Sequence, residues 1–281
     1  MTGNEASEVP RTYDWLMRYR RMAASIALLT VIATAACSSD PGPQPLEPSP
    51  AVLSETPSGS PTPSASPTLE AMCDNASDPA LLSGQTQGRL TGDVDGDGAD
   101  DEVSVAIDPS GEPGCRSFIV VETSSGTFVA PTDPDGSMAG FEPQLRALVQ
   151  ADDQPGSEIV AQVLAGASTQ FIAMFTLHDG VLSRVSVEPV GAFGDIADLF
   201  PYGGSVGHME ASDCAADGRI VISAATPAGG SGERYDVQRV FLRFDGSELV
   251  QDEVEKQVVS VFKIEELPEY RSSPFGSCPT S

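Results

Sequence analysis

Five aspartates fall in the nine-residue stretch Asp93-Val94-Asp95-Gly96-Asp97-Gly98-Ala99-Asp100-Asp101, four of them in a regular ladder. Counted from Asp93, carboxylates stand at positions 1, 3, 5 and 9. That spacing places Asp93, Asp95, Asp97 and Asp101 on one side of a tight loop. Gly98, at position 6, permits a sharp turn, and the carbonyl of Ala99, at position 7, can supply a further oxygen. Hard oxygen donors in that number suit Ca²⁺, with water completing the shell. Carboxylates crowded this closely repel one another unless a cation sits among them. Asp100 and Glu102 fall off the pattern and read as solvated.

The flanks decide which kind of loop this is. An EF-hand needs Glu at position 12 and a helix on each side. Position 12 is Ser104, and the downstream Val103, Val105 and Ile107 alternate as a strand does. Upstream, Gly88, Thr91 and Gly92 are poor helix formers. The segment from Leu90 to Asp101 instead resembles an FG-GAP or VCBS repeat, in which a D-x-D-G-D-G-x-x-D loop binds calcium ahead of an outgoing β-strand. The resemblance implies Asp93, Asp95, Asp97 and Asp101 as side-chain ligands and Ala99 as a backbone ligand. Two weaker echoes follow. Leu148–Val160 keeps the turn, an acidic residue and the outgoing strand, but lacks the Asp ladder. Cys214–Ile222 keeps only Asp217-Gly218 and a strand. A spacing near 60 residues suggests blade-like modules.

The elements that must position this loop read as strands. Ser117–Thr123, Thr127–Ala130, Glu158–Ala165, Thr169–Leu177, Val181–Val187, Arg219–Ala225 and Tyr235–Phe244 alternate or run apolar between Gly-rich turns. Glu248–Val250 and Val254–Val261 continue the pattern, while Gln144–Val149 and Ile196–Leu199 read as short helical turns. The expected fold is all-β, with antiparallel sheets in blade-like modules like part of a β-propeller. A β-sandwich is the alternative.

Ahead of these strands the chain changes character. Arg18, Arg20 and Arg21 precede a short apolar run, Ala23 to Ala33, and then Ala35, Ala36 and Cys37. This resembles the lipobox of bacterial lipoproteins, with Thr34 where an aliphatic residue is usual. The resemblance implies cleavage before Cys37 and acylation of that residue. From Asp40 to Glu70 nine prolines recur. Such a stretch buries too little apolar area to offset its ordering entropy. Extended at about 3.1 Å per residue, it reaches on the order of 80 Å. The expected organisation is an N-terminal extension and signal over residues 1–36, an acylated tether over 37–71, and one β-domain over 72–281.

Beyond Cys37 four cysteines remain: Cys73, Cys115, Cys214 and Cys278. An even count in an exported chain reads as two disulfides. Three pairings are open. The one joining Cys73 to Cys115 and Cys214 to Cys278 is favoured, because each bridge then ties a terminal segment to a nearby module.

The chain carries 15 Lys plus Arg against 41 Asp plus Glu, a formal net charge of −26. That excludes a phosphate-backbone binder, so no nucleic acid is expected. No HExxH, P-loop or dinucleotide fingerprint occurs. Gly229-Gly230-Ser231-Gly232 lacks the Lys and helix of a phosphate cradle. His208, Glu210 and Asp213 lie close in sequence and suggest acid–base work at most, and His178 stands alone. The expectation is therefore a non-catalytic protein at the extracytoplasmic face of the cell membrane. It is held there by a lipid, its β-domain is braced by calcium, and it binds an envelope protein or a wall glycan. The alternative is an exported carbohydrate-active enzyme, or an accessory subunit of one. That class needs two carboxylates about 5–9 Å apart across a groove.

Overall fold

Along Glu158–Ala165 and Thr169–His178 two thirds of the side chains are apolar, and both faces of these strands are buried over most of their length. That pattern marks a middle layer, covered on two sides. In the computed structural model the described residues are 73, 74, 76, 86–133, 136, 140–187, 198–205, 207–230, 232–264 and 266–280. The signal, Cys37 and the tether lie outside them. Among the described residues no helix is long and apolar enough to cross a membrane.

The architecture is all-β and almost wholly antiparallel. One sheet is a four-stranded meander of β1 (Thr86–Gly92), β2 (Asp101–Ile107), β3 (Ser117–Thr123) and β4 (Gly126–Pro131). A second meander joins β5 (Gln144–Val149), β6 (Glu158–Ala165), β7 (Thr169–His178) and β8 (Val181–Arg184). A third joins β11 (His208–Cys214), β12 (Ile220–Pro227), β13 (Arg234–Asp245) and β14 (Glu248–Ser260). Between them, β9 (Ser186–Val187) pairs in parallel with the start of β14. β10 (Phe200–Ser205) bridges β7 to β11, so the second and third meanders belong to one ten-stranded sheet. Each meander is a blade-like unit, and they stack as the layers of a sandwich.

The side-chain alternation of the middle layer shows how. Ile159, Ala161, Val163, Ala173 and Phe175 face Val103, Val105, Ile119 and Val121 of the first meander. Val160, Ile172 and Met174, one residue out of phase, join Ile220, Ile222, Val240 and Leu242 of the third. Fully burying one such side chain contributes roughly 1.5–3 kcal/mol. The two outer faces are closed by the chain ends. The Cys73–Cys115 disulfide covers Phe118 and Val120 of β3. The C-terminal segment brings Phe275 edge-on to Phe200, with ring centroids 5.0 Å apart, and is tied to β11 by the Cys214–Cys278 disulfide. The favoured cysteine pairing is thus the one the molecule has. A short helix, α1 (Val261–Ile264), follows β14, and its Ile264 packs with Tyr235 and Val237.

Two local expectations are corrected. Gln144–Val149 is a strand, because pairing with β6 from Gln144↔Gln162 to Val149↔Glu158 overrides its helix-forming Gln and Leu residues. Val181–Val187 is two strands, broken at Val185, where the chain leaves β7 to reach β14. Of Ile196–Leu199 only Asp198 and Leu199 are described, and neither is helical.

Candidate metal centre and the cavity beside it

β1 ends at Gly92 and β2 begins at Asp101, and these two residues are cross-strand partners. The eight residues between them must reverse the chain within one strand spacing. Gly96 and Gly98 do so with φ of 77° and 84°, the left-handed region that glycine adopts without a Cβ clash. The carboxylates then take up the turn's free N–H groups. Asp93 accepts from Gly96 N–H at 2.8 Å and Gly98 N–H at 3.0 Å. Asp95 accepts from Asp97 N–H at 3.1 Å. Asp101 reaches back from the head of β2, its Oδ2 accepting from Val94 N–H at 2.8 Å and Asp95 N–H at 3.2 Å.

This arrangement brings Asp93, Asp95 and Asp101 together, each offering one oxygen within 4.8 Å of the others. Asp97 stands apart from that set, with its carboxylate accepting from Ala99 N–H at 2.7 Å and Ser124 Oγ–H at 2.8 Å. Those two donors hold the Asp97 carboxyl below its ordinary value. Glu102 is a half-buried partner of Arg89, outside the converging set.

Asp101 is only 2% exposed, and its Oδ1 is buried without a hydrogen-bond partner. Burial, followed by the charges of Asp95 and Asp97, pushes its carboxyl above the ordinary value, against the pull of the Val94 and Asp95 N–H groups. A cation corrects both conditions at once, since it supplies a partner for Oδ1 and a counter-charge for three crowded carboxylates. The residues present therefore fit a cation site.

The two weaker sequence echoes occupy the equivalent place in the other layers. Between β5 and β6 the chain turns at Asp152, which accepts from Gln154 N–H at 2.8 Å. Glu158 heads β6 as Asp101 heads β2, and its Oε2 accepts from Ala151 N–H at 2.6 Å. Between β11 and β12 the turn is closed by Ala215 N–H on the Arg219 carbonyl at 2.7 Å. Arg219 then binds Asp217, Asp252 and Glu253 and lies 4.4 Å from the centroid of the Phe241 ring.

The first and second turns touch through their backbones. A Cβ on Gly156 (φ +102°) would lie 2.4 Å from the Val94 carbonyl oxygen, and one on Gly96 would lie 2.7 Å from Pro155 Cβ. All three turns, with the end of β7 and the β13–β14 hairpin, line one cavity of about 580 Å³. Burial, first, and the adjacent Asp152 carboxylate push the Glu158 carboxyl on its wall up to about 7, although Ala151 N–H opposes the shift.

The remaining polar residues singled out from the sequence divide differently. His178 sits at the cavity rim, beside Asp179. His208 and Glu210 do meet, at 3.9 Å, and share Thr169 Oγ1. Asp213 is elsewhere and structural. It is buried and accepts from Cys214 N–H, Ser277 N–H and Ser272 Oγ–H, which anchors the C-terminal segment. The cavity itself was not foreseen, since segments far apart in sequence build it. No family model, curated protein or solved structure matches the chain.

Proposed function

We propose that this chain is a non-catalytic, lipid-anchored binding protein of the cell envelope, whose β-domain is braced by one Ca²⁺ in the loop Asp93–Asp101. The observation that carries the cation is the sealed Oδ1 of Asp101 beside the oxygens of Asp93 and Asp95. Calcium is favoured over magnesium because it accepts six to eight oxygens in irregular geometry. The Asp97 carboxylate, by a change of rotamer, and the Ala99 carbonyl complete such a shell with water. The bracing role follows from connection. Asp101 is the first residue of β2, so a cation that fixes the loop fixes the register of the first sheet.

A binding role is favoured over hydrolysis by the cavity's carboxylates. Glycoside cleavage needs two that face each other across room for a sugar. Asp152 and Glu158 are instead adjacent, and Glu158 is tied to Ala151 N–H. The lipid anchor rests on the Arg-rich, apolar and Ala-Ala-Cys37 succession.

Melting temperature with calcium and with chelator tests the reading. Ligand at one hundred times its dissociation constant stabilises the native state by about 2.7 kcal/mol. Asp95→Ala is expected to lose most of that gain, and Asp100→Ala little. An unresponsive wild type, or equal losses in the two variants, reduces the loop to an acidic turn.

A further inference from the structure

The cavity where the three turns meet has the size of a small-molecule site. Its deep surface is apolar, from Val94, Ala151 and Leu177, all under 9% exposed. Its walls are acidic. Asp152 and Asp153 rise from the second turn and Asp217 from the third, while Glu158, 2% exposed, lies below Asp152. Two arginines also line it, but neither leaves a free positive field. Arg219 is bound by Asp217, Asp252 and Glu253, and Asp252 is shared with Arg243, so three carboxylates face two guanidiniums. Arg243 has Asp252 at 4.0 Å. Ser157, 3% exposed, lines the same wall, and its Oγ has no hydrogen-bond partner.

We infer that this cavity binds a small amphipathic cation, a primary ammonium on an apolar stem, of the kind a polyamine or a lysine side chain carries. The inference gives the binding role proposed above its site and its ligand class, and rests on that reading only for the role. The stem lies on the Val94–Ala151–Leu177 floor, as long cationic side chains cover apolar surface elsewhere. The ammonium has three donors, which the Asp152 and Glu158 carboxylates and the Ser157 hydroxyl accept. A cation there also removes the repulsion between two adjacent carboxylates. The elevated proton affinity of Glu158 is consistent with this, because a desolvated carboxyl beside a second carboxylate holds either a proton or another cation. The other titratable groups lining the cavity are Asp152, Asp153, His178, Asp217, Arg219 and Arg243.

Titration calorimetry of the full chain in detergent micelles, with calcium present and at physiological salt, tests the inference. The probes are spermidine, trilysine and the neutral trisaccharide of N-acetylglucosamine. The expected result is saturable one-to-one binding of spermidine or of trilysine, and which of the two binds tells a free polyamine from a peptide side chain. Asp152→Asn and Glu158→Gln should each weaken it by about tenfold or more, the worth of a charge-assisted hydrogen bond. Glu112→Gln, an exposed acid remote from the cavity, should leave it unchanged. Melting curves verify that each variant is folded, so lost binding is not lost structure. Equal weakening by Glu112→Gln shows diffuse attraction to an acidic surface and overturns the inference. So does binding of the trisaccharide alone, or of none of the probes. The calcium response of the melting temperature is measured separately, so failure of the metal reading and failure of this one are distinguishable.

Discussion

Glu158→Gln should make the protein more stable, and only at neutral to alkaline pH. Glu158 is 2% exposed, and its carboxyl is raised from an ordinary 4.5 to about 7. A folded-state value above the unfolded one means that the native state binds the proton more tightly. Its stabilisation is complete below about pH 4.5 and is lost as pH rises through about 7. Each unit of difference corresponds to 1.36 kcal/mol, so the shift costs the wild type about 3 kcal/mol by pH 8. Glutamine keeps the oxygen that accepts from Ala151 N–H and cannot ionise. Urea denaturation of both proteins at pH 5, 6, 7 and 8, in excess calcium, isolates this group, because the other carboxylates titrate alike in both. The two should be within about 1 kcal/mol at pH 5 and diverge with pH, the variant ahead by up to about 3 kcal/mol at pH 8. In an Asp152→Asn background the divergence should be smaller, since the Asp152 charge is part of what raises the Glu158 carboxyl. A difference that stays flat from pH 5 to pH 8 refutes the assignment of a buried, proton-holding carboxyl.

Three further outcomes are expected. Gly156→Ala places a methyl 2.4 Å from the Val94 carbonyl in a left-handed backbone, so it should destabilise by about 1–3 kcal/mol and weaken calcium affinity, as read by competition with a chelator. Replacing Cys214 and Cys278 by Ala opens a bridge spanning 64 residues, and loop-closure entropy predicts a loss of about 4 kcal/mol by chemical denaturation. Cys37→Ala should abolish the acyl mass shift and release the protein from the membrane fraction; an unchanged mass and fractionation would refute the anchor.

What the residues disclosed in advance depended on how locally each feature is encoded. The Asp93–Asp101 loop was legible because three converging carboxylates and two left-handed glycines lie within nine residues. β6 and β7 were legible because burial on both faces leaves continuous apolar runs. β10 and β11 were not foreseen. FPYGGS carries a proline and two glycines, and HMEASDC is mostly polar. Their inward polar groups are satisfied by distant partners, Ser212 by the Pro201 carbonyl and Asp213 by Ser272 and Ser277. The equivalence of Glu158 to Asp101 was half visible, as an acid heading the strand after a turn. Its proton affinity was not, because that depends on burial between layers.

The three stacked meanders have a consequence for how the molecule comes apart. Repeat arrays whose units touch only their neighbours can fray from the ends, one unit at a time. Here β6 and β7 of the middle meander are covered on both faces, and the third meander is continuous with it through β10. Peeling off the first meander exposes Ile159, Ala161, Ala173 and Phe175 to water while recovering conformational freedom in only four strands. Opening the middle one uncovers two cores together. The amides of β6 and β7 are therefore the last to exchange with solvent, and their opening coincides with global unfolding rather than preceding it.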